Sequence, residues 1–339
     1  MLKDILRSCM DGHTMTEVQA EQTMNDIMEG KATQSQIASL LTIMRFRGET
    51  VDEMTGFARS MRSHSLRIQT NDHGVVDTCG TGGDDLSTFN ISTATAIVLS
   101  GMGVPVAKHG NRAVSSQSGS ADVLEVLGIP TQQTKEDAKL ALDRVNLCFL
   151  FAPLYHQSMK HAVAPRKEIG FRTVFNLLGP LTNPAGAKHQ LIGVYDKEFA
   201  NKMAETLLRL GTTKALFVTG GDGLDELSIT SESTIIEVNG NEKLSYTITP
   251  EDVGLKRGTL DQIRANTPLE SAQIIQQVFK GEANEAASGI VTLNAAAALY
   301  AGKRVSSIED GVKEVKKSIE SGQIYRHYQT LQKEKQQYA

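Results

Sequence analysis

The amino-acid sequence predicts an α/β protein with a small N-terminal helical domain and a large α/β domain on a mostly parallel central sheet. Residues 1–70 show only helix-capping signals and apolar residues at helical spacing. From about residue 71, short apolar runs alternate with helical segments, as in sheets covered by helices on both faces. We therefore expect a helical domain over residues 1–70 and an α/β domain over residues 71–339.

The helical region contains three candidate capping boxes, in which a threonine precedes a glutamine or glutamate by three residues: Thr16 and Gln19, Thr33 and Gln36, Thr50 and Glu53. Gly30 and Gly48 suit helix ends. No cluster of residues here has catalytic character, which favours a structural bundle. The methionine-rich apolar surface could also serve self-association.

The larger region contains five candidate strands, at residues 75–77, 104–107, 147–151, 191–195 and 215–219. The turn pair Asn239-Gly240 separates residues 234–238 from residues 243–248, which predicts a β-hairpin. Ligands in α/β sheets bind outside the carboxyl ends of the strands. The segments that follow the strands are therefore where we expect the chemistry.

Composition excludes several classes of function. The net charge of −4 and the absence of tryptophan argue against nucleic-acid binding. The three cysteines, Cys9, Cys79 and Cys148, lack metal-site spacing and fit a reducing compartment. No apolar run is long enough to cross a bilayer, and the N-terminus does not resemble a signal peptide. We expect a cytoplasmic protein with no membrane partner.

The glycine-rich stretch Cys79–Asp84 follows a candidate strand and leads to Asn90-Ile91-Ser92-Thr93, where a helix is predicted to begin. Glycines allow close backbone approach, and a helix N-terminus offers free N–H donors to an anion. A plain strand-to-helix turn is the alternative. The P-loop motif is absent, and Asp85 stands where a dinucleotide fingerprint requires its third glycine.

Two further segments suit a magnesium-bound polyanion. Residues 108–116, followed by Gly119-Ser120, offer cations and hydroxyls at the same sheet edge, or else a solvated basic turn. Residues 220–226 place Asp225 and Glu226 on a glycine loop, which suits Mg²⁺, although an acidic surface turn is the alternative.

The fourth segment runs from Tyr155 to Arg166 and is followed by residues 176–184. An arginine here could hold a carboxylate through two hydrogen bonds. Each histidine taken alone is more simply a packed or capping residue. Zinc is not expected, because His156 and His161 are five residues apart and no cysteine is close in sequence.

Together, these segments resemble the anthranilate phosphoribosyltransferase family of tryptophan biosynthesis. The resemblance is carried by G-T-G-G-D at 80–84, N-I-S-T at 90–93, V-A-K-H-G-N-R at 106–112, G-S-A-D-V-L-E at 119–125, A-P-R-K-E at 164–168, F-N-L-L-G-P-L-T-N-P at 175–184, G-L-D-E at 223–226 and M-R-F-R-G-E-T at 44–50. It implies a nucleoside-phosphorylase-type fold, with residues 165–185 contributing to the helical domain. It also implies a homodimer joined through that domain.

The resemblance further implies roles for individual residues. Residues implied to bind phosphoribosyl pyrophosphate are Gly80, Gly83, Asp84, Thr88, Asn90, Ile91, Ser92, Thr93, Lys108, Asn111, Ser116 and Ser120. Residues implied to line the anthranilate path are Gly80, His109, Asn111, His156, Arg166 and Pro180. Two Mg²⁺ ions per subunit are implied, held by Ser92, Asp225 and Glu226, and Lys108, Asp225 and Glu226 are the implied catalytic groups.

Two alternative functions stay open from the sequence. A pyrimidine nucleoside phosphorylase would share the fold, but Asp225-Glu226 and Arg166 favour the transferase. A nucleic-acid-binding relative of the same fold would show a basic face, which the net charge of −4 does not favour.

Overall fold

A computed structural model describes residues 2–70, 74–113 and 118–334 of the chain. Its N-terminal part consists of four helices: α1 (Leu2–Met10), α2 (Glu17–Met28), α3 (Gln34–Arg47) and α4 (Val51–Ser63). All three predicted capping boxes are present, at the first residues of α2, α3 and α4. Each stabilises its helix by about 1 kcal/mol, because it satisfies backbone N–H groups that have no partner within the helix.

The α/β part is built on one sheet of seven strands: β1 (Val76–Gly80), β2 (Val106–Gly110), β3 (Leu147–Phe151), β4 (His189–Gly193), β5 (Lys214–Gly220), β6 (Ser233–Asn239) and β7 (Glu242–Ile248). The strand order is β3-β2-β1-β4-β5-β6-β7. The first five strands in this order are parallel, and β6 and β7 extend the sheet as an antiparallel hairpin. The predicted fold class is therefore confirmed.

Most strand ends differ from the sequence predictions by one to three residues, and two of these differences have a visible cause. The predicted strand at 75–77 continues to Gly80, because its parallel pairing with β4 persists until Gly80 faces Gly193. In the hairpin, Asn239 pairs with Glu242, so the two-residue turn is Gly240-Asn241 rather than Asn239-Gly240. Gly240 has a φ of +60°, which suits glycine at the first central position of a tight hairpin turn.

Helices cover both faces of the sheet. After β1 the chain forms α5 (Ile91–Gly101), α6 (Ser120–Val126), α7 (Lys135–Val145), α8 (Ala152–Tyr155), α9 (Lys160–Ile169), α10 (Val174–Leu178), α11 (Lys197–Arg209), α12 (Pro268–Lys280), α13 (Glu285–Ala301), α14 (Ile308–Glu320) and α15 (Gln323–Glu334). Alternate strand residues supply two cores: Leu191 and Leu216 join one, whereas Ile192 and Phe217 join the other.

The second core also contains the four N-terminal helices and side chains from α9 and α10, including Ala162, Val174 and Phe175. The division of the chain at residue 70 and the contribution of residues 165–185 to the helical domain stay predictions. Within the described ranges, no helix combines the length and the apolar character that crossing a membrane requires.

Candidate active site

The segments singled out from the sequence meet at the carboxyl edge of the sheet. The strand order turns at β1, with β2 on one side and β4 on the other, and ligands bind at such a switch point. A cavity of about 500 Å³ opens there. The predicted residues on its wall are Gly80, Gly83, Asp84, Thr88, Asn90, Ile91, Ser92, Lys108, His109, Asn111, Ser120, Arg166, Asp225 and Glu226.

Three of the predicted site residues that the structure describes are not part of this wall. Thr93 is buried and donates its hydroxyl to Asn90 Oδ1, so only its backbone could reach a ligand. Pro180 is buried, and its carbonyl accepts a 2.9 Å hydrogen bond from Gln190 Nε2. His156 lies behind His109, with ring centroids 5.1 Å apart. Ser116 lies outside the described residues.

The glycine at position 80 is required by the protein itself. A Cβ on Gly80 would lie 2.9 Å from Asp225 Oδ2 and 3.2 Å from the Gly193 carbonyl oxygen. Asp225 Oδ2 also accepts a 2.9 Å hydrogen bond from the N–H of Gly82. The glycine loop and the acidic loop therefore form one unit, although they are far apart in sequence.

The N-terminus of α5 offers donors to the cavity. No described side chain caps this helix, because Asn90 directs its amide to the Ser118 carbonyl (3.4 Å) and its carbonyl oxygen to Thr93. The Asn90 side chain therefore leaves the first-turn N–H groups uncapped, although the N–H of Ser92 already bonds to the carboxylate of Glu226. The helix dipole favours an anion at the remaining N–H groups. Ser92 in this turn donates its hydroxyl to Glu226 Oε1.

Asp84, Asp225 and Glu226 form an acidic group at the cavity. Burial raises the pKa of Asp225 well above its usual range, and the neighbouring carboxyls of Asp84 and Glu226 raise it further. Burial also raises the pKa of Glu226 to about 7, against the opposing effects of Ser92 and Lys108. These carboxylates are costly to ionise unless a cation neutralises them.

The donor set of this acidic group fits Mg²⁺, which prefers oxygen and takes one or two carboxylates together with substrate phosphates. In the described part of the chain, no three His, Cys, Asp or Glu side chains are arranged to hold a metal by themselves. A metal here would therefore take part of its coordination shell from Ser92, from substrate or from water.

Lys108 is the cation nearest to this group. Its side chain is buried, and Nζ donates a 2.5 Å hydrogen bond to the Thr78 carbonyl in the middle of β1. Burial lowers the pKa of Lys108, whereas Asp77 and Glu226 favour its charged form. Arg112, by contrast, forms ion pairs with Asp122 at 2.9 Å and Glu125 at 2.5 Å, so its charge is largely neutralised within the protein.

The other end of the cavity is lined by the ring of His109, behind which His156 lies, and by Arg166. Burial lowers the pKa of His109 to about 3 and that of His156 to about 4, so both rings are neutral near pH 7. Nε2 of each ring is buried without a hydrogen-bond partner in the described structure. The guanidinium of Arg166 lies 5.0 Å from the centroid of the Phe175 ring, and no described acidic side chain pairs with it.

The fourth segment is mostly helical. After β3 the chain enters α8, a short 3-10 helix at residues 157–159, and α9, which carries Arg166. Pro165 lies inside α9, only five residues after its start. Ala162 of α9 is buried in the second core and Met159 packs against that core, which favours the helix over an open loop.

Asn176 and Arg172 are among the residues at the cavity or supporting it that sequence reasoning did not assign to the site. Asn176 lies on the cavity wall, and its polar side chain within an apolar run was the one available signal. Arg172 binds the glycine loop from the α9–α10 connection and was not singled out at all. No local pattern marks it, because its partners lie almost ninety residues earlier.

Comparisons with known proteins agree with this architecture. A family model described as the a/b domain of a glycosyl transferase family matches residues 72–325. A second model, described as the helical bundle domain of that family, matches residues 3–65. The two matches cover most of the chain.

Individual relatives extend over nearly the full length. Anthranilate phosphoribosyltransferase of Halalkalibacterium halodurans is 64% identical over 99% of this chain and 98% of its own. The crystal structure of the enzyme of that name from Thermus thermophilus superposes with a TM-score of 0.91 at 37% identity, covering 98% of this chain and 99% of its own. The Saccharomyces cerevisiae enzyme in complex with PRPP and Mg superposes with a TM-score of 0.90 at 25% identity, covering 99% and 98%. The chain belongs to the anthranilate phosphoribosyltransferase family.

Proposed function

We propose that this protein is an anthranilate phosphoribosyltransferase of tryptophan biosynthesis. It transfers the phosphoribosyl group of phosphoribosyl pyrophosphate to the amino group of anthranilate and releases pyrophosphate. One observation carries the proposal: a single cavity joins a glycine loop, an uncapped helix N-terminus and an acidic pair to Arg166, which lacks a described acidic partner. The relatives named above bear the same activity in their names.

The phosphorylated substrate binds at the glycine-loop end of the cavity. Backbone N–H groups at Gly80, Gly83 and the first turn of α5 receive the phosphate oxygens, together with the side chains of Asn90, Thr88, Asn111 and Ser120. Lys108 adds a fixed positive charge. Its bond to the Thr78 carbonyl holds Nζ in place, so little reorganisation is needed as charge builds on the pyrophosphate.

Magnesium binds at Ser92, Asp225 and Glu226, and we propose two ions per subunit. When bound, Mg²⁺ neutralises the charge that builds on the leaving pyrophosphate. The number of ions is measurable by calorimetric titration of Mg²⁺ into the protein with phosphoribosyl pyrophosphate present. A stoichiometry of one per subunit would contradict the second site.

Anthranilate binds at the ring-lined end. Arg166 holds its carboxylate through two charge-assisted hydrogen bonds, while His109, His156, Asn111 and Pro180 shape the path. The two neutral imidazoles present no charge to the aromatic ring. Gly80 lies between the two ends and lets both substrates approach the same strand end.

The chemistry makes modest demands on acid–base groups. An arylamine is neutral near pH 7, so its lone pair is available without a general base. The C1–O bond breaks through an oxocarbenium-like state, and the nitrogen becomes acidic once the C1–N bond forms. The protein therefore contributes alignment of two substrates and electrostatic stabilisation of the leaving group.

The proposed assembly is a cytoplasmic homodimer joined through the helical part. Its support is a set of exposed apolar side chains on the first three helices: Met10 is 72% exposed, Val18 75% and Phe46 95%. Sedimentation velocity should show a dimer that Phe46→Glu weakens. Leu244→Glu, at a 60% exposed position on β7, is the matched control and should leave the dimer intact.

The activity itself is tested by following the loss of anthranilate fluorescence after addition of phosphoribosyl pyrophosphate and Mg²⁺. We expect a fluorescence decrease that requires all three components and releases one pyrophosphate per anthranilate consumed. Phosphate-dependent cleavage of thymidine, with no loss of anthranilate, would point instead to a nucleoside phosphorylase.

A further inference from the structure

The glycine loop has a backbone conformation that its own residues do not favour. With the residues that follow it up to Asn90, this loop contains four positive φ angles: Gly82 (+63°), Gly83 (+93°), Asp85 (+56°) and Ser87 (+53°). This region is unfavourable for residues that carry a Cβ, so Asp85 and Ser87 must be held there by their surroundings.

The second half of the loop is held by the segment before α12. The N–H of Ala265 donates to the Ser87 carbonyl (2.9 Å), and the N–H of Phe89 donates to the Ile263 carbonyl (3.0 Å). Ser271 Oγ accepts a 2.8 Å bond from the N–H of Asn90. None of these three bonds reaches residues 83–85.

Residues 83–85 are held by Arg172 instead. Its Nη1 donates a 2.5 Å hydrogen bond to the Gly83 carbonyl, and its Nη2 lies 3.1 Å from Asp85 Oδ1. The guanidinium lies over the Tyr195 ring, 5.3 Å from the centroid. Arg172 thus bonds to Gly83 and Asp85 at once, and the Tyr195 ring packs against its guanidinium.

The requirement for glycine at position 83 follows from the same contact. A Cβ at Gly83 would overlap the guanidinium of Arg172, and the φ of +93° disfavours any other residue. Gly83, Asp84 and Asp85 line the cavity, whereas Arg172 does not. The arginine therefore supports the wall from outside.

We propose that Arg172 is a positioning residue that fixes residues 83–85 in the conformation that binds the pyrophosphate group. The proposal rests on the proposed function for the identity of that group. Arg172 comes from the connection between α9 and α10, so it joins a loop of the α/β part to helices that pack in the second core.

The first test compares steady-state kinetics of Arg172→Ala and wild type. We expect the KM for phosphoribosyl pyrophosphate to rise about tenfold or more, the effect of losing a charged hydrogen bond. The KM for anthranilate should change less than about twofold, because Arg166 is untouched. Arg172→Lys should rescue part of the loss, since an ammonium can bond to Gly83 but cannot also span to Asp85.

The matched control is Arg209→Ala. Arg209 is also partly exposed and pairs with Asp52 and Glu17, but it contacts no part of the glycine loop. It should leave both Michaelis constants unchanged. Two results would assign Arg172 a merely structural role and overturn the proposal. One is an equal rise in both Michaelis constants for Arg172→Ala. The other is a Tm so lowered that unfolding alone accounts for the lost activity.

The second test is a double-mutant cycle with Gly83→Ala. If Arg172 acts through the loop, Gly83→Ala displaces it, and the double variant should have nearly the same KM as the worse single variant. Multiplicative effects of the two substitutions would mean that Arg172 acts independently of Gly83, as in direct ligand binding, and would overturn the proposal.

Binding of magnesium pyrophosphate, measured by calorimetry, separates this proposal from the proposed function. Arg172→Ala should weaken it about tenfold even if anthranilate proves not to be the acceptor. Unchanged pyrophosphate affinity in this variant would contradict the positioning role while leaving the transferase activity intact.

Discussion

The two ends of the cavity recognise their ligands by different means. At the glycine-loop end the contacts come from backbone N–H groups, Lys108 and the acidic pair Asp225-Glu226. Hydrogen bonds join the acidic pair to Gly82 and Ser92, and another fixes Lys108 to the Thr78 carbonyl. At the other end the neutral imidazole of His109, with His156 behind it, and Arg166 face the cavity, and the arginine lacks a described acidic partner. The first end is prepared for a metal-bound polyanion and the second for an aromatic ring with a single carboxylate.

This difference indicates which substitutions should affect the binding of one substrate and not that of the other. At the glycine-loop end the carboxyls of Asp225 and Glu226 and the ammonium of Lys108 are buried close enough to shift one another's pKa. A substitution there should therefore affect turnover as well as binding. At the ring-lined end Arg166 has no described acidic partner, and its loss should raise only the KM for anthranilate. Four predictions follow this division, from the largest effect to the smallest.

The largest effect is expected from Asp225→Asn combined with Glu226→Gln. Loss of the metal ligands should reduce turnover at low Mg²⁺ by about 100-fold or more, since a bound metal stabilises charge by several kcal/mol. The variant should fold normally, because two buried carboxyls with raised pKa values are replaced by neutral groups. Turnover is measured across a range of Mg²⁺ concentrations.

Glu251→Gln with Asp252→Asn is the matched control for this pair. These residues are also adjacent acids, but they are exposed and lie in the short 3-10 helix before residue 254. The control should keep wild-type turnover. Wild-type kinetics in the Asp225 and Glu226 variant would remove the metal assignment.

Arg166→Ala should act on the second end alone. We expect a rise of about tenfold to 100-fold in the KM for anthranilate, the effect of losing charge-assisted hydrogen bonds of about 1.5–3 kcal/mol. The KM for phosphoribosyl pyrophosphate serves as the internal control and should stay near the wild-type value. A rise only in the KM for phosphoribosyl pyrophosphate would contradict the role given to Arg166.

The acidic pair should also produce a measurable dependence of stability on pH. The pKa of Glu226 is raised from 4.5 to about 7 in the folded protein, so the metal-free fold binds more protons than the unfolded chain between these values. Its stability should therefore fall as pH rises from about 4.5 to about 7, and Mg²⁺ should oppose the fall. Melting temperatures with a chelator present measure this slope.

Glu226→Gln provides the comparison for that slope. The variant lacks the titrating carboxyl, so its melting temperature should fall less steeply with pH than that of wild type. Parallel curves for the two proteins would show that Glu226 does not titrate in this range.

The smallest effect is an absence of titration at the ring-lined end. Because the pKa values of His109 and His156 are lowered to about 3 and about 4, both rings stay neutral from pH 6 to pH 8. The KM for anthranilate should then vary less than about twofold over this range. An inflection near pH 6.5 would show that one of the rings is charged in the working enzyme.

The predictable parts of the molecule were those set by local patterns. The capping boxes at Thr16, Thr33 and Thr50 depend on side chains three residues apart, and all three are present. Alternation of apolar runs with helical segments predicted the parallel sheet in the same way. The polar residues after β1 and β2 could be assigned to one site because parallel strands share a carboxyl edge.

The parts that could not be predicted depend on contacts between distant residues. Gly80 is constrained by Asp225 and Gly83 by Arg172, and neither contact leaves a trace in the neighbouring sequence. Arg112 is one of the cations in residues 108–116 that the sequence offers to a polyanion, whereas the structure pairs it with Asp122 and Glu125. The position of His156 behind His109 likewise depends on how α8 packs after β3.

The division of the cavity is tested most directly by a crystal structure with Mg²⁺, phosphoribosyl pyrophosphate and benzoate, an anthranilate analogue without the reacting amino group. We predict the pyrophosphate against residues 80–84 and the first turn of α5, with metal at Asp225 and Glu226. The benzoate carboxylate should bind Arg166. A carboxylate bound at the glycine loop, or a pyrophosphate bound to Arg166, would contradict this division.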